Sequence, residues 1–227
     1  MLIKRSFPTL KSMQPTNINW WPSLLAADPL QFREGLDKVR KAGLSGVHLD
    51  IMDGHFVPNI SFGPSVVRAI TQNYPELFRD VHLMLSQPEN FIPKFIESGA
   101  QSITIHIEIA KNSLENSLRL LRERSIPYGL AINPETPLEA LTPFLDNPLH
   151  HVLIMSVHPG FSGQAFIPET YSRVQRLRQR YPKLTLCIDG GINSEIAQKF
   201  LLFGVKDFVV GASFFGEVLE NHKKGTF

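Results

Sequence analysis

Short apolar segments alternate along this chain with longer segments in which apolar residues recur every three or four positions. The short segments are rich in β-branched residues and indicate buried strands, whereas the longer ones indicate amphipathic helices. Strands are predicted at 18–24, 46–52, 79–84, 102–107, 128–132, 151–155, 184–188 and 206–210. Helices are predicted between them, at 28–43, from 64, at 88–97, 112–124, 137–145, 171–181 and 194–202, with a last short one opening at 211.

Eight strand-then-helix units predict a parallel sheet with right-handed crossover connections. Their number and the length of 227 residues favour a closed barrel over an open doubly wound sheet. No G-x-G-x-x-G pattern follows the first strand, which argues against a dinucleotide-binding fold. We therefore predict the α/β class, with a single (β/α)8 TIM barrel at 18–227 and a short N-terminal tail at 1–17. Its active site is expected where the strands end and the loops begin.

Composition and charge exclude several classes of protein. The net charge is +2 and the basic residues are scattered, so no nucleic-acid surface is expected. The one basic cluster, at 173–180, is interpreted as a solvated helix face. A single cysteine, Cys187, excludes an internal disulfide, is interpreted as packing, and is compatible with a cytoplasmic protein. No apolar run reaches the ~20 residues that span a membrane. The first 17 residues lack the apolar core of a secretory signal, and a transit peptide is the less favoured alternative.

The candidate metal ligands lie at strand ends. His48, Asp50 and Met52 alternate with apolar residues on the second strand and therefore share one face. A histidine and a carboxylate at this spacing suit a divalent metal, although they also suit a simple buried hydrogen-bonded pair. His82, which ends the third strand, is a natural third ligand. Asp189, which ends the seventh strand, completes a mixed nitrogen and oxygen set, unless it only forms an Asp-Gly turn. Such a set fits Zn²⁺, Fe²⁺, Mn²⁺ or Co²⁺.

Glycines at the last strand ends point to a phosphate. Gly190-Gly191 follows the seventh strand, and Gly211-Ala212 follows the eighth and opens a short helix. Many barrels bind phosphate at this place through backbone N–H groups and a helix N-terminus. The loop 159–164 after the sixth strand is positioned to close over the same group.

Four other side chains are expected near the metal. Ser23 offers a hydroxyl at the end of the first strand. Met52, Met84 and Met155 lie at the mouth of the barrel, where they either fill the core or form a polarizable pocket lining. Asp53, His55 and Asn59 lie in a loop and are candidates for lid or cap residues.

Taken together, these segments resemble the ribulose-phosphate 3-epimerase family over residues 18–217. The resemblance is carried by HLDIMDGHFVPNISFG at 48–63, together with 22–28, 82–84, 159–164 and 188–192. It implies a (β/α)8 barrel that interconverts D-ribulose 5-phosphate and D-xylulose 5-phosphate in the pentose phosphate pathway. It also implies a homo-oligomer, either a dimer or a hexamer.

The resemblance implies a role for each matching residue. His48, Asp50, His82 and Asp189 would bind one divalent metal, and Asp50 and Asp189 would also be the acid/base pair. The substrate, a small phosphorylated ketose, would be contacted by Ser23, Met52, His82, Met84, Met155, Gly160, Phe161, Ser162, Gly163, Gly190, Gly191, Gly211 and Ala212.

Three alternatives to a pentulose-phosphate epimerase stay open on the sequence. A related 3-epimerase would act on a six-carbon ketose such as allulose 6-phosphate. A metal-dependent hydrolase on the same barrel would usually show His-x-His after the first strand, a pattern missing here. A barrel that only binds sugar phosphates would carry a defective ligand or acid, and none is found. The favoured prediction is a metal-dependent epimerase that inverts C3 through an enediolate.

Overall fold

The computed structural model describes residues 18–145 and 149–216. Its centre is a sheet of eight parallel strands, β1 Asn19–Pro22, β2 Gly46–Met52, β3 Phe78–Met84, β4 Ser102–His106, β5 Tyr128–Ile132, β6 His151–Met155, β7 Leu186–Asp189 and β8 Asp207–Val210. The strands pair in the order β1-β8-β7-β6-β5-β4-β3-β2. A parallel bridge between Ser23 and His48 joins the two edge strands and closes the barrel. The predicted (β/α)8 barrel is confirmed.

The predicted division into an N-terminal tail and a barrel domain is not tested at either end of the sequence. The expected N-terminal tail, residues 1–17, lies outside the described residues, and so does 217–227 at the end of the expected barrel domain. Among the residues that the structure describes, no helix is long and apolar enough to cross a membrane.

The described residues form seven α-helices on the outside of the barrel, α1 Phe32–Lys41, α2 Pro64–Asn73, α3 Ile92–Glu97, α4 Lys111–Glu123, α5 Thr170–Arg180, α6 Ser194–Leu201 and α7 Ala212–Phe215. Helix α1 illustrates why they form. Its residues Leu36 and Val39 are buried on the barrel side, and basic residues occupy its last turn, where they complement the helix dipole. Gly43, at φ +70°, takes the left-handed conformation that ends the helix.

Strand β2 is buried along its whole length because the barrel covers one face and the helices cover the other. Val47, Leu49 and Ile51 belong to the main apolar core. His48 and Asp50 have the opposite parity and belong to the barrel interior, where Asp50 is in register with His82 on β3. The alternation in the sequence therefore separates packing residues from candidate site residues.

The predicted helices contain two errors that proline explains. The segment 137–145 forms a 3₁₀ helix, Leu138–Phe144, because Pro143 has no N–H to donate within an α-helix. The segment 88–97 divides into a 3₁₀ turn, Pro88–Asn90, and α3, in whose first turn Pro93 lies. Strand β1 is shorter than predicted because Leu24 begins a 3₁₀ turn, Leu24–Ala26.

The interpretation of the basic cluster at 173–180 as a solvated face is wrong for two of its arginines. Arg173 is half-buried and donates to the backbone carbonyls of Asn133 and Thr136. Arg178 donates to the carbonyls of four residues, Pro182, Leu184, Phe203 and Gly204. The Leu184 carbonyl is thereby taken by a side chain, and β7 begins only at Leu186.

Candidate metal centre and active site

Four side chains from three strands meet at the C-terminal end of the barrel. His48 Nε2 lies 3.3 Å from Asp50 Oδ1 and 3.4 Å from His82 Nδ1. His82 Nδ1 lies 3.0 Å from Asp50 Oδ1, and Asp189 Oδ2 lies 3.9 Å from both ring nitrogens. One ligand atom from each of these residues lies within 4.8 Å of all the others. The structure therefore brings together all four residues that the sequence selected as metal ligands.

The donor set fits a divalent cation. Two nitrogens and two oxygens bound at about 2.1 Å in a tetrahedron would lie about 3.4 Å from one another. The distances from the histidine nitrogens to one another and to the two carboxylates, from 3.0 to 3.9 Å, lie around that value, and all four donors lie within 4.8 Å of one another. Two imidazoles and two carboxylates suit Zn²⁺ and the neighbouring transition metals. The residues present could therefore hold one such ion.

Neighbouring groups fix the orientation of the ligands. Ser23 Oγ donates to Asp50 Oδ2 at 2.5 Å, so that Asp50 Oδ1 is left to face the histidines. His48 Nδ1 lies 2.9 Å from Asp80 Oδ2, which leaves His48 Nε2 directed toward the other ligands. Metal-binding histidines commonly donate their second N–H to a carboxylate in this way. Asp80 thus belongs to the centre, although sequence reasoning did not select it.

The pKa values of Asp50 and Asp189 are shifted in opposite directions. Burial raises the pKa of Asp189 well above its ordinary range, and the nearby negative charge of Asp50 adds to this. Burial also acts to raise the pKa of Asp50, but the charge and hydrogen bonds of His48 and His82 outweigh it and hold that pKa far below its usual range. Paired titratable groups whose environments push their pKa values apart are typical of acid/base sites.

The pKa values of His48 and His82 also shift in opposite directions. Burial acts to lower the pKa of His48, but the charge and hydrogen bond of Asp50, followed by those of Asp80, raise it well above the ordinary value. Burial lowers the pKa of His82 to about 4 despite its hydrogen bond to Asp50. His82 is therefore neutral at physiological pH, as a metal ligand must be.

A cavity of about 240 Å³ opens above these residues at the mouth of the barrel. His48 and His82 are fully buried beneath it. Every other residue to which the family resemblance assigns a metal or substrate role lines it, namely Ser23, Asp50, Met52, Met84, Met155, Gly160, Phe161, Ser162, Gly163, Asp189, Gly190, Gly191, Gly211 and Ala212. Other residues that line the cavity were given no site role on the sequence, namely Leu25, Val157, Ile192, Asn193 and Val209.

Glycines at the ends of β7 and β8 form one side of this cavity. Gly190 and Gly191 have φ values of +116° and +64°, which side chains rarely tolerate. A Cβ on Gly191 would lie 2.6 Å from the backbone nitrogen of Phe166. Ser213 Oγ donates to the Ile192 carbonyl at 2.7 Å and joins the two loops. Only glycine therefore fits at position 191 on this side of the cavity.

We expect Gly191→Ala to destabilise the protein more than Gly43→Ala does. Both glycines have φ near +64° to +70°, which costs an L-residue about 1–2 kcal/mol. Only Gly191 also meets backbone, whereas a Cβ on Gly43 meets nothing within 4 Å, so Gly191→Ala should lose about 1–3 kcal/mol more. Urea unfolding of both variants measures the difference, and equal losses would contradict the close packing around Gly191.

The loop after β2 is joined to the loop after β6. Asn59 Nδ2 donates to the Gly160 carbonyl at 2.7 Å, across the edge of the cavity. Asp53 accepts from the backbone N–H groups of His55, Phe56 and Ser86, and these bonds outweigh burial and lower its pKa to about 2. Asn59 therefore has the contact expected of a cap residue, while Asp53 shapes the loop.

Comparisons with known proteins agree with this geometry. The model of the ribulose-phosphate 3 epimerase family matches residues 19–215. A ribulose-phosphate 3-epimerase from Eremothecium gossypii is 37% identical over 207 residues, which cover 86% of this chain and 84% of that protein. The cytoplasmic isoform from Oryza sativa is 33% identical over 197 residues, covering 86% of each chain.

Among solved structures, 3-hexulose-6-phosphate synthase from Salmonella typhimurium superposes with a TM-score of 0.67 at 14% identity, covering 90% of this chain and all (100%) of that one. This likeness supports the barrel fold alone. The family match, by contrast, spans the strands that supply all four ligands and the glycines of the cavity. On that match and on those relatives, the chain belongs to the ribulose-phosphate 3-epimerase family.

Proposed function

We propose that this protein interconverts D-ribulose 5-phosphate and D-xylulose 5-phosphate by inverting C3, as a step of the pentose phosphate pathway. The observation that supports this most is the meeting of two carboxylates and two histidines at the floor of a glycine-walled cavity. The substrate is a small phosphorylated ketose. The protein acts in the cytoplasm, where one of its named relatives is placed, and works as a homo-oligomer, a dimer or a hexamer.

His48, Asp50, His82 and Asp189 would hold one divalent cation, which is Zn²⁺, Fe²⁺, Mn²⁺ or Co²⁺. A cation bound there supplies Lewis-acid stabilisation of negative charge on the ketone and hydroxyl oxygens of the sugar. Without such stabilisation, a carbon acid next to a ketone is too weak for a carboxylate to deprotonate.

The two aspartates move the protons. One carboxylate takes the proton from C3, and the electron pair of that C–H bond passes into the carbonyl group to give an enediolate. The other, which starts as a carboxylic acid, then gives its proton to C3 from the opposite face as the electron pair returns. The opposed pKa directions of Asp50 and Asp189 support this division, since one group starts without a proton and the other with one.

The glycine side of the cavity would receive the phosphate. Gly190, Gly191, Gly211 and Ala212 place backbone or a single methyl group against it, and the loop at 160–163 lines the same cavity. Binding the phosphate far from C3 would supply energy that fixes the sugar plane between the two carboxylates. Met52, Met84 and Met155 would exclude water from the carbon skeleton.

The test is turnover of ribulose 5-phosphate by protein supplied with each of the four ions in turn. In deuterated water, xylulose 5-phosphate is expected with deuterium at C3, because the returned proton comes from a carboxyl group that exchanges with solvent. Allulose 6-phosphate is assayed beside it. Failure to convert ribulose 5-phosphate with any ion would refute the proposal, and a higher kcat/KM for allulose 6-phosphate would assign the six-carbon reaction instead.

A further inference from the structure

A second histidine lies directly behind the metal ligand His82. His106, at the end of β4, places its Nε2 2.8 Å from Nε2 of His82, with the two rings 22° from parallel. Both rings are fully buried. His106 Nδ1 in turn lies 3.1 Å from Glu108 Oε2. Glu108 Oε1 accepts the backbone N–H of Asn133 at 2.7 Å. A chain of hydrogen bonds therefore runs from the metal centre to the loop after β5.

The direction of each bond in this chain follows from its last member. A carboxylate only accepts hydrogen bonds, so Nδ1 of His106 must carry a proton and donate to Glu108. In a neutral His106, Nε2 is then a bare acceptor. When a cation occupies the centre, Asp50 binds the ion and needs no proton from His82. His82 then carries its proton on Nε2, and its Nδ1 keeps a free lone pair. His82 Nδ1 and Asp50 Oδ1 lie 3.0 Å apart, and both would face a cation bound between them.

We propose that His106 and Glu108 are positioning residues that hold His82 in the tautomer and ring orientation in which Nδ1 can bind the cation. This inference rests on the proposed metal-dependent function. Asp80 has the corresponding position behind His48, where a single carboxylate contacts Nδ1 and leaves Nε2 for the ion. His82 has no such carboxylate beside it on β4, where the residue in register is Thr104. The carboxylate of Glu108 instead acts on His82 through His106.

The Glu108→Gln variant tests the direction of these hydrogen bonds and leaves the size of the side chain nearly unchanged. The Asn133 N–H still requires an oxygen, so the amide NH₂ group is turned toward His106 Nδ1. His106 must then accept at Nδ1 and donate from Nε2, which forces the proton of His82 onto Nδ1, where the metal should bind. Loss of such a supporting group typically weakens metal binding about 10–100-fold.

The measurement is the affinity for Zn²⁺ alone, by competition with a chromophoric chelator. We expect a loss of about 10–100-fold for Glu108→Gln, and also for His106→Phe, which keeps a ring but removes the acceptor. Glu135→Gln is the matched control, because Glu135 pairs with His158 at 2.8 Å on the surface, where both side chains are more than 60% exposed. It should bind Zn²⁺ as the unaltered protein does. Unchanged affinity in folded Glu108→Gln overturns the proposal.

A second measurement does not depend on any variant folding. Nitrogen-15 spectra of the zinc-loaded, unaltered protein distinguish the two tautomers of each histidine. The proposal requires His106 to carry its proton on Nδ1 alone, and a proton on its Nε2 would overturn it. Both readouts are independent of turnover, so a protein that binds Zn²⁺ as described and converts no ribulose 5-phosphate would refute the proposed reaction and leave this inference standing.

Discussion

Asp189→Asn is expected to lower kcat for the inversion of ribulose 5-phosphate by about 10²–10⁴-fold, and Asp50→Asn by a similar factor. The amide keeps the size of the carboxyl group but can neither take the C3 proton nor return one. The assay is the initial rate of xylulose 5-phosphate formation, at metal concentrations that saturate each variant. Full activity in both variants would remove the acid/base assignment altogether.

Because both aspartates are also candidate ligands, metal loss must be separated from loss of proton transfer. Each variant is therefore analysed for bound metal, and its exchange of the C3 proton with deuterated water is followed from each epimer. A variant that retains metal should exchange from one epimer and not from the other, because one carboxylate is left. The control is Asp207→Asn at the start of β8, where Asp207 accepts from Asn19 and Trp21 at the opposite end of the strand. It should leave kcat unchanged.

Removing the metal is expected to abolish turnover and to be reversible. The enediolate carries negative charge that the four side chains cannot neutralise, since Asp50 and Asp189 are themselves acidic and His48 is already paired with Asp50 and Asp80. Loss of the Lewis acid should remove several kcal/mol of stabilisation, which corresponds to a rate loss of at least about 10³-fold. Dialysis against a chelator followed by addition of each ion measures this. Full activity of protein shown to be free of metal would contradict it.

The return of the metal should depend on pH in a defined direction. In the metal-free site the raised pKa of His48 keeps a proton on its ring, and the ion must displace that proton. Metal affinity should therefore fall as the pH is lowered from about 8 to about 5, the range in which such groups titrate. Calorimetry in buffers of different ionisation enthalpy should detect proton release on binding. Equal affinity at both limits would contradict the assigned protonation states.

The sequence predicts the barrel well because its strands are buried on both faces and have distinct ends. The bounds of β2, β5 and β6 agree with the structure residue by residue. The errors lie where a tertiary contact decides the local structure. The start of β7 is one example, because Arg178 on the preceding helix α5 donates to the Leu184 carbonyl. The 3₁₀ helix around Pro143 is different, since the sequence itself contains the proline that disfavours an α-helix there.

The candidate site was predictable to the extent that strand parity determines it. His48, Asp50, His82 and Asp189 each lie on an inward-facing strand position, so the fold alone brings them together. Their supporting residues were missed because they act through another side chain. Asp80 and His106 nevertheless had a signal, since Asp80 shares the parity of His82, and His106 ends the neighbouring strand. The pairing of Glu108 with Asn133 depends on loop conformation, which no sequence pattern specifies.

The closure of the barrel gives a bound ion a mechanical role as well. In the described part of the chain, β1 and β2 are the two edges of the sheet and are joined by the bridge at Ser23 and His48 rather than by a full ladder. An ion bound by Asp189 on β7 and by His48, Asp50 and His82 on β2 and β3 would connect the strands on the two sides of the junction between β1 and β2. Binding of the ion would then stabilise the contact between β1 and β2, and its loss would weaken that contact beside the cavity.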